Sequence, residues 1–126
     1  LKKRLIDDFN ASFKTSSDTE VILKMYESYG VSSFEKLDGM FAFSILDKSK
    51  GKIFIARDFF GEKPLYYSKT SDRFFWGSEL KSLMLHYEKK PAICKNALNT
   101  YFQLTYIPAP YTIYEGINKI GSRQTT

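Results

Sequence analysis

Few side chains in this sequence can do chemistry, and they are spread along it. Cys94 is the only thiol and His86 the only imidazole. A thiol at the start of a helical pattern, beside Lys95, can act as a nucleophile once its proton is drawn off. No histidine is its neighbour in sequence, so Cys94 reads first as an inert, partly buried thiol. Asp18 falls in the first turn of the clearest helical pattern. There the helix dipole keeps a carboxylate ionised and able to receive the ammonium of a small ligand. A charge at that place can also do no more than cap the helix, and residue physics alone reads it that way. Arg57 and Asp58 close a strand-like run, Glu62 and Lys63 flank a turn at Gly61, and Glu79 follows Trp76-Gly77-Ser78. Charges at a strand end beside glycine can line a site. With no partner to point at, they read first as a salt-bridged loop that fixes the turn.

These groups need a frame to hold them. The chain has 126 residues, 43% hydrophobic and 17% aromatic, which suits one packed domain with a large β component. A single Cys excludes an internal disulfide and a cysteine-rich metal cluster, and a single His argues against zinc. The net charge is +5, but the basic residues are scattered among acidic ones. That is the pattern of a solvated surface and points away from nucleic acid. The Tyr-rich stretches 65–67 and 101–114 could stack bases, but they read first as core and rim aromatics. No apolar run approaches membrane-spanning length and no signal peptide opens the chain, so the expectation is a cytoplasmic protein with no membrane partner.

The frame is organised around residues 37–67. Phe41, Phe43 and Ile45 alternate with Met40, Ala42, Ser44 and Leu46. After a polar turn, Lys52 to Ala56 resumes as strand. An antiparallel hairpin, apolar and covered on both faces, is expected. Ahead of it, residues 1–13 are partly helical, and Phe13-Lys14-Thr15 reads as a short strand. Ser17 to Gly30 is a helix, opened by a Ser17–Glu20 capping box and closed by Gly30. Beyond the hairpin come strands at 65–68 and 73–76, then a short helix over 79–85 capped by Ser78. A helix over 96–106 follows, with Ala97, Leu98, Tyr101 and Phe102 inward and Pro108 and Pro110 ending it. Last is strand character over 111–120, bent at Gly116.

Five stretches stand in an informative order: Thr15-Ser16-Ser17-Asp18-Thr19-Glu20-Val21-Ile22-Leu23; Leu37-Asp38-Gly39-Met40-Phe41-Ala42-Phe43; Ala56-Arg57-Asp58 with Gly61-Glu62-Lys63-Pro64-Leu65-Tyr66-Tyr67; Ser78-Glu79-Leu80-Lys81-Ser82-Leu83; and Tyr106-Ile107-Pro108-Ala109-Pro110 with Ile113-Tyr114-Glu115-Gly116-Ile117. Together they resemble the class II glutamine amidotransferase domain of glutamine-hydrolysing asparagine synthetase. The resemblance covers residues 1–120 as a partial domain and leaves 121–126 as a tail without a match.

This resemblance implies an α+β fold, a four-layered αββα sandwich of the N-terminal-nucleophile hydrolase type, incomplete in this chain. It implies glutamine hydrolysis to glutamate and ammonia, with the ammonia passing to a synthetase domain that amidates aspartate at the expense of ATP. The family's nucleophile is an amino-terminal cysteine, and no residue here matches it. Leu1 has no nucleophilic atom, so the resemblance implies that this polypeptide alone is inactive. The family's carboxylate for the glutamine ammonium falls on Asp18. Arg57, Asp58, Gly61, Lys63 and Glu79 match family positions and are expected to shape the site or the face toward the synthetase domain. No metal or cofactor is implied for this domain; ATP and magnesium belong to the synthetase domain. Glutamine and that domain are the expected partners, and a homodimer stays open. So do two other readings: a non-catalytic ligand-binding or interaction module of the same fold, and an amidotransferase acting on another carboxylate.

Overall fold

The computed structural model describes residues 1–121. The expected tail therefore lies, apart from Gly121, outside the described residues. The described chain is α+β, with helices and two antiparallel sheets in two compact units, Leu1–Gly39 and a second beginning at Met40.

The first unit is helical. Helix α1, Lys2–Phe9, buries Leu5 and ends at Asn10, whose left-handed backbone returns its N–H to Ile6. Helix α2, Asp18–Tyr29, carries Val21, Ile22, Met25, Tyr26 and Tyr29 at helical spacing, with Met25 buried and the others half-buried. Phe9 sets its ring edge against Tyr29 at 4.8 Å. Gly30 stops α2 at φ 63°, a region that costs glycine little. A 3₁₀ segment, Gly30–Lys36, follows, and its buried Phe34 stacks on Tyr26. The segment at Phe13–Thr15 is not a strand; its backbone amides turn to the side chain of Glu20 instead.

The second unit holds both sheets. Strands β1, Ala42–Asp47, and β2, Lys52–Arg57, form the expected antiparallel hairpin, with Phe43 opposite Ala56 and Ile45 opposite Phe54. Side-chain alternation puts Ala42, Ser44, Leu46, Ile53, Ile55 and Arg57 on the other face. Strands β3, Tyr66–Lys69, β4, Phe74–Gly77, and β5, Ile117–Lys119, form a second antiparallel sheet in the order β4-β3-β5. The two sheets meet through Ile55, Leu65 and Ile120, all buried, with Ala42, Tyr67 and Trp76 packed around them.

The hairpin is not covered along its whole length. Ile45, Ile55 and Ala56 are buried, but Leu46 is 58% exposed and Ile53 41%. The exposed Leu46 and Ile53 form one pair of the ladder, the one next to the Asp47–Lys52 pair at the turn, while burial lies in the middle and toward Arg57.

Helix α3, Leu80–Met84, is capped at Glu79 and not at Ser78, and no side chain makes the capping bond. Helix α4, Lys95–Leu104, buries Ala97, while Tyr101 and Phe102 face outward, 48% and 74% exposed. It ends at Thr105, which takes a left-handed backbone at φ 64° and returns its N–H to Tyr101; the prolines come only afterwards.

Candidate functional site

Asp18 is the first residue of α2. Ser17 precedes it as the N-cap and accepts the N–H of Thr19 at 3.2 Å. Glu20 does not reach back to Ser17 as a capping box requires. Its Oε1 accepts the N–H of Lys14 at 2.8 Å, and its Oε2 accepts the N–H of Thr15 at 2.7 Å and the Thr15 hydroxyl at 2.6 Å. The Thr15 hydroxyl accepts the Ser17 N–H in turn, at 3.2 Å. The Lys14 amide and the Thr15 hydroxyl hold the Glu20 carboxyl down at about 2, with help from the Thr15 amide and the Lys2 charge. Asp18 is exposed and, among the described residues, makes no hydrogen bond or ion pair. Its carboxylate stands at the positive end of a 12-residue helix.

Of the other matched residues, Arg57 ends β2, and Asp58, Gly61 and Lys63 lie in the loop between β2 and β3. The Arg57 guanidinium donates from Nε to the carbonyl of Lys63 at 2.6 Å, from Nη1 to that of Ile120 at 2.8 Å and from Nη2 to that of Gly61. Asp58, 2% exposed, accepts the N–H of Glu62 at 2.8 Å and of Lys63 at 3.0 Å, and its own carbonyl accepts the N–H of Gly61. Burial pushes the Asp58 carboxyl up, but the Lys63 and Glu62 amides and other backbone donors outweigh it and hold it below the usual range. The expected salt-bridged loop is therefore corrected. Among the described residues no ion pair joins these charges; Asp58 is spent on the loop's backbone, and Arg57 on the loop's backbone and the Ile120 carbonyl. The backbone atoms of Gly61 and Lys63 serve this loop, while the Lys63 side chain is exposed. Lys119 donates to the carbonyl of Ile107 at 2.6 Å, and its ammonium is held below its ordinary value by burial and then by Arg57. Glu79 is exposed at the start of α3.

Cys94 is half-buried at the N-cap of α4, and its thiol makes no capping bond. It lines a cavity of about 200 Å³ with Asn96, Ala97, Thr100, Ile107, Pro108 and Tyr111. The His86 ring lies tilted by 33° against Phe75, ring centroids 5.0 Å apart, and no hydrogen bond joins it to Cys94. Among the described residues no group of three or more His, Cys, Asp or Glu is placed to hold a metal, and no helix is long and apolar enough to cross a membrane.

Residues 1–125 match the glutamine amidotransferase domain family, and the chain belongs to that family. It is 44% identical over 122 residues to a protein of Methanocaldococcus jannaschii named putative asparagine synthetase (glutamine-hydrolyzing) 2, covering 95% of this chain and 24% of that one. To asparagine synthetase (glutamine-hydrolyzing) 1 of Bacillus subtilis it is 41% identical over 116 residues, covering 90% of this chain and 18% of the relative. A putative asparagine synthetase (glutamine-hydrolyzing) of Mycobacterium tuberculosis is 34% identical over 125 residues, 97% of this chain and 19% of its own. The chain thus spans between 18% and 24% of the length of these relatives. It is a glutamine amidotransferase domain of the asparagine synthetase kind.

Proposed function

We propose that this domain is the glutaminase part of an asparagine synthetase-like enzyme, hydrolysing glutamine to supply ammonia for the ATP-dependent amidation of aspartate. The observation that carries the reading is the match of residues 1–125 to the amidotransferase family together with 44% identity to a glutamine-hydrolyzing synthetase. Asp18 receives the ammonium of glutamine. Its exposed carboxylate, uncommitted among the described residues and set at a helix start, supports that role. The packing of one antiparallel sheet on the other through Ile55, Leu65 and Ile120 supports an αββα sandwich. The self-braced loop at Arg57–Lys63, with Glu79, shapes the face toward a synthetase domain. The nucleophile in this reading is the amino-terminal cysteine thiol that the family resemblance implies. ATP and magnesium act in the synthetase part, and the protein works in the cytoplasm.

The test is glutamine turnover by the natural full-length protein, by the 126-residue chain and by an Asp18→Asn variant of the full-length protein. The full-length protein should hydrolyse glutamine and the chain alone should not. The variant should raise the KM for glutamine about 30-fold, the equivalent of about 2 kcal/mol for a lost charged hydrogen bond. Turnover by the 126-residue chain would move the nucleophile into it, and an unchanged KM would remove Asp18 from the site.

A further inference from the structure

Two carboxylates stand in the first turn of α2, and only one of them is open to a ligand. Both oxygens of Glu20 are taken by Lys14 and Thr15, in contacts of 2.6 to 2.8 Å. The segment they hold, residues 10–17, has no regular secondary structure of its own. Its other ties near the helix include the Ser17 N–H on the Thr15 hydroxyl at 3.2 Å, the Lys2 ammonium on the Thr15 carbonyl at 3.1 Å, and the Ser17 cap itself, whose side chain accepts the Thr19 N–H at 3.2 Å. Asp18 follows that segment directly. An exposed carboxylate on a loosely held chain end binds an ammonium weakly, because fixing its position at the moment of binding offsets the attraction. A carboxylate whose approach strand is already pinned avoids that cost.

We propose that Glu20 is a positioning residue for glutamine: its staple to Lys14 and Thr15 fixes the backbone leading into Asp18, and its own oxygens are withheld from the substrate. Ligand binding and loop fixation are thus divided between two acids two residues apart. The inference rests on the reading of Asp18 as the partner of the glutamine ammonium, and it names the group that holds that partner in place.

The experiment uses the natural full-length protein carrying Glu20→Ala, Glu20→Gln, Thr15→Val, the pair Thr15→Val/Glu20→Ala, and Asp18→Asn. Steady-state glutamine hydrolysis is measured for each, and folding is checked by thermal melting. Glu20→Ala should raise KM for glutamine about tenfold while kcat stays within about twofold, the mark of lost positioning in the binding step. Glu20→Gln keeps one carbonyl acceptor and should recover part of the loss. Thr15→Val should give a smaller rise than Glu20→Ala, and the double variant should rise by less than the two effects combined, because both changes break the same Thr15–Glu20 contact while only Thr15→Val also removes the acceptor of the Ser17 N–H. Where Glu20→Ala does not fold, the Glu20→Gln and Thr15→Val values decide. If Asp18→Asn raises KM but the Glu20 and Thr15 variants stay within about twofold of the parent, the positioning role is overturned and the Asp18 reading stands. If Asp18→Asn itself leaves KM unchanged, that reading falls and takes the positioning role with it. Additive effects of the double variant would also overturn the proposal.

Discussion

The Arg57 guanidinium donates from Nη1 to the carbonyl of Ile120 at 2.8 Å, across 63 residues of sequence. The same side chain holds the carbonyls of Gly61 and Lys63, so one planar fork ties the β2–β3 loop to the end of β5. Arginine suits this task because its donors point in fixed, divergent directions; lysine offers a single point of charge. Arg57→Ala should cost about 2 kcal/mol or more of unfolding free energy, the scale of lost charge-assisted hydrogen bonds. Arg57→Lys should recover less than half. Urea denaturation of the parent and both variants checks this, and a lysine variant as stable as the parent would show that charge alone suffices.

Gly61 is coupled to that fork. It sits at φ +66°, and a Cβ built on it would lie 2.9 Å from Arg57 Cζ and 3.0 Å from Nη2. An added methyl therefore meets both backbone strain and a guanidinium that its carbonyl partners hold in place. Gly61→Ala should destabilise by about 2 to 4 kcal/mol. In an Arg57→Ala background only the backbone part remains, and the same change should cost about 1 to 2 kcal/mol. A double-mutant cycle by denaturant unfolding reads the difference directly. Strict additivity would mean that the two groups do not press on each other.

Much of this architecture is legible from residue order, and the exceptions share a cause. Helix α2 is announced by Ser17, by apolar spacing through Met25 and by Gly30. The hairpin is announced by two alternating runs around a polar turn, and its register follows. Asp18 is legible as a first-turn acid. The partners of Glu20, Arg57 and Asp58 are not, because each bonds to backbone amides or carbonyls, and every residue carries those whatever its side chain. A side-chain code for Thr15–Glu20 exists only in the hydroxyl leg. The outward turn of Tyr101 and Phe102 was equally hidden: apolar spacing marks a face but does not say how far its cover extends. Thr105 stops α4 in a left-handed conformation that its residue type does not advertise.

Ser68 offers a test of the second sheet. It is buried in β3, and its hydroxyl lies 2.5 Å from the Tyr87 hydroxyl and 2.8 Å from the carbonyl of Gly116. Ser68→Ala removes both contacts and leaves the Gly116 carbonyl without that donor, which should cost about 1 to 2 kcal/mol. Tyr87→Phe takes away only one partner and leaves Ser68 free to donate to Gly116, so its hydrogen-bonding loss should be smaller. Thermal unfolding of the two variants ranks them. The reverse order would mean that the tyrosine hydroxyl, and not the carbonyl, is the main anchor.

The response to acid follows from two carboxyls held low for different reasons. Glu20 titrates near 2 against an ordinary 4.5, because the Lys14 amide and the Thr15 hydroxyl bind its ionised form; the ammonium of Lys2, on α1, adds to this. Asp58 is lowered by its amide donors against the opposing pull of burial. A depressed carboxyl contributes stability that is fully present above its unfolded value and is lost as pH falls through its folded value. The Glu20 contribution should therefore hold at pH 5 and above and drain away between about 4.5 and about 2. The Asp58 contribution should fade below the unfolded aspartate range, near 3.9. Two-dimensional NMR can follow the Lys14 and Thr15 amides, whose shifts should move together with a midpoint near 2. Asp58→Asn should remove its share of the acid dependence and cost about 2 kcal/mol at neutral pH, because the amide nitrogen of Asn would face the N–H of Glu62 or Lys63. A midpoint near 4.5 for the Lys14 and Thr15 amides would show that the Glu20 staple does not form in solution, since its contacts are the main causes that lower that carboxyl.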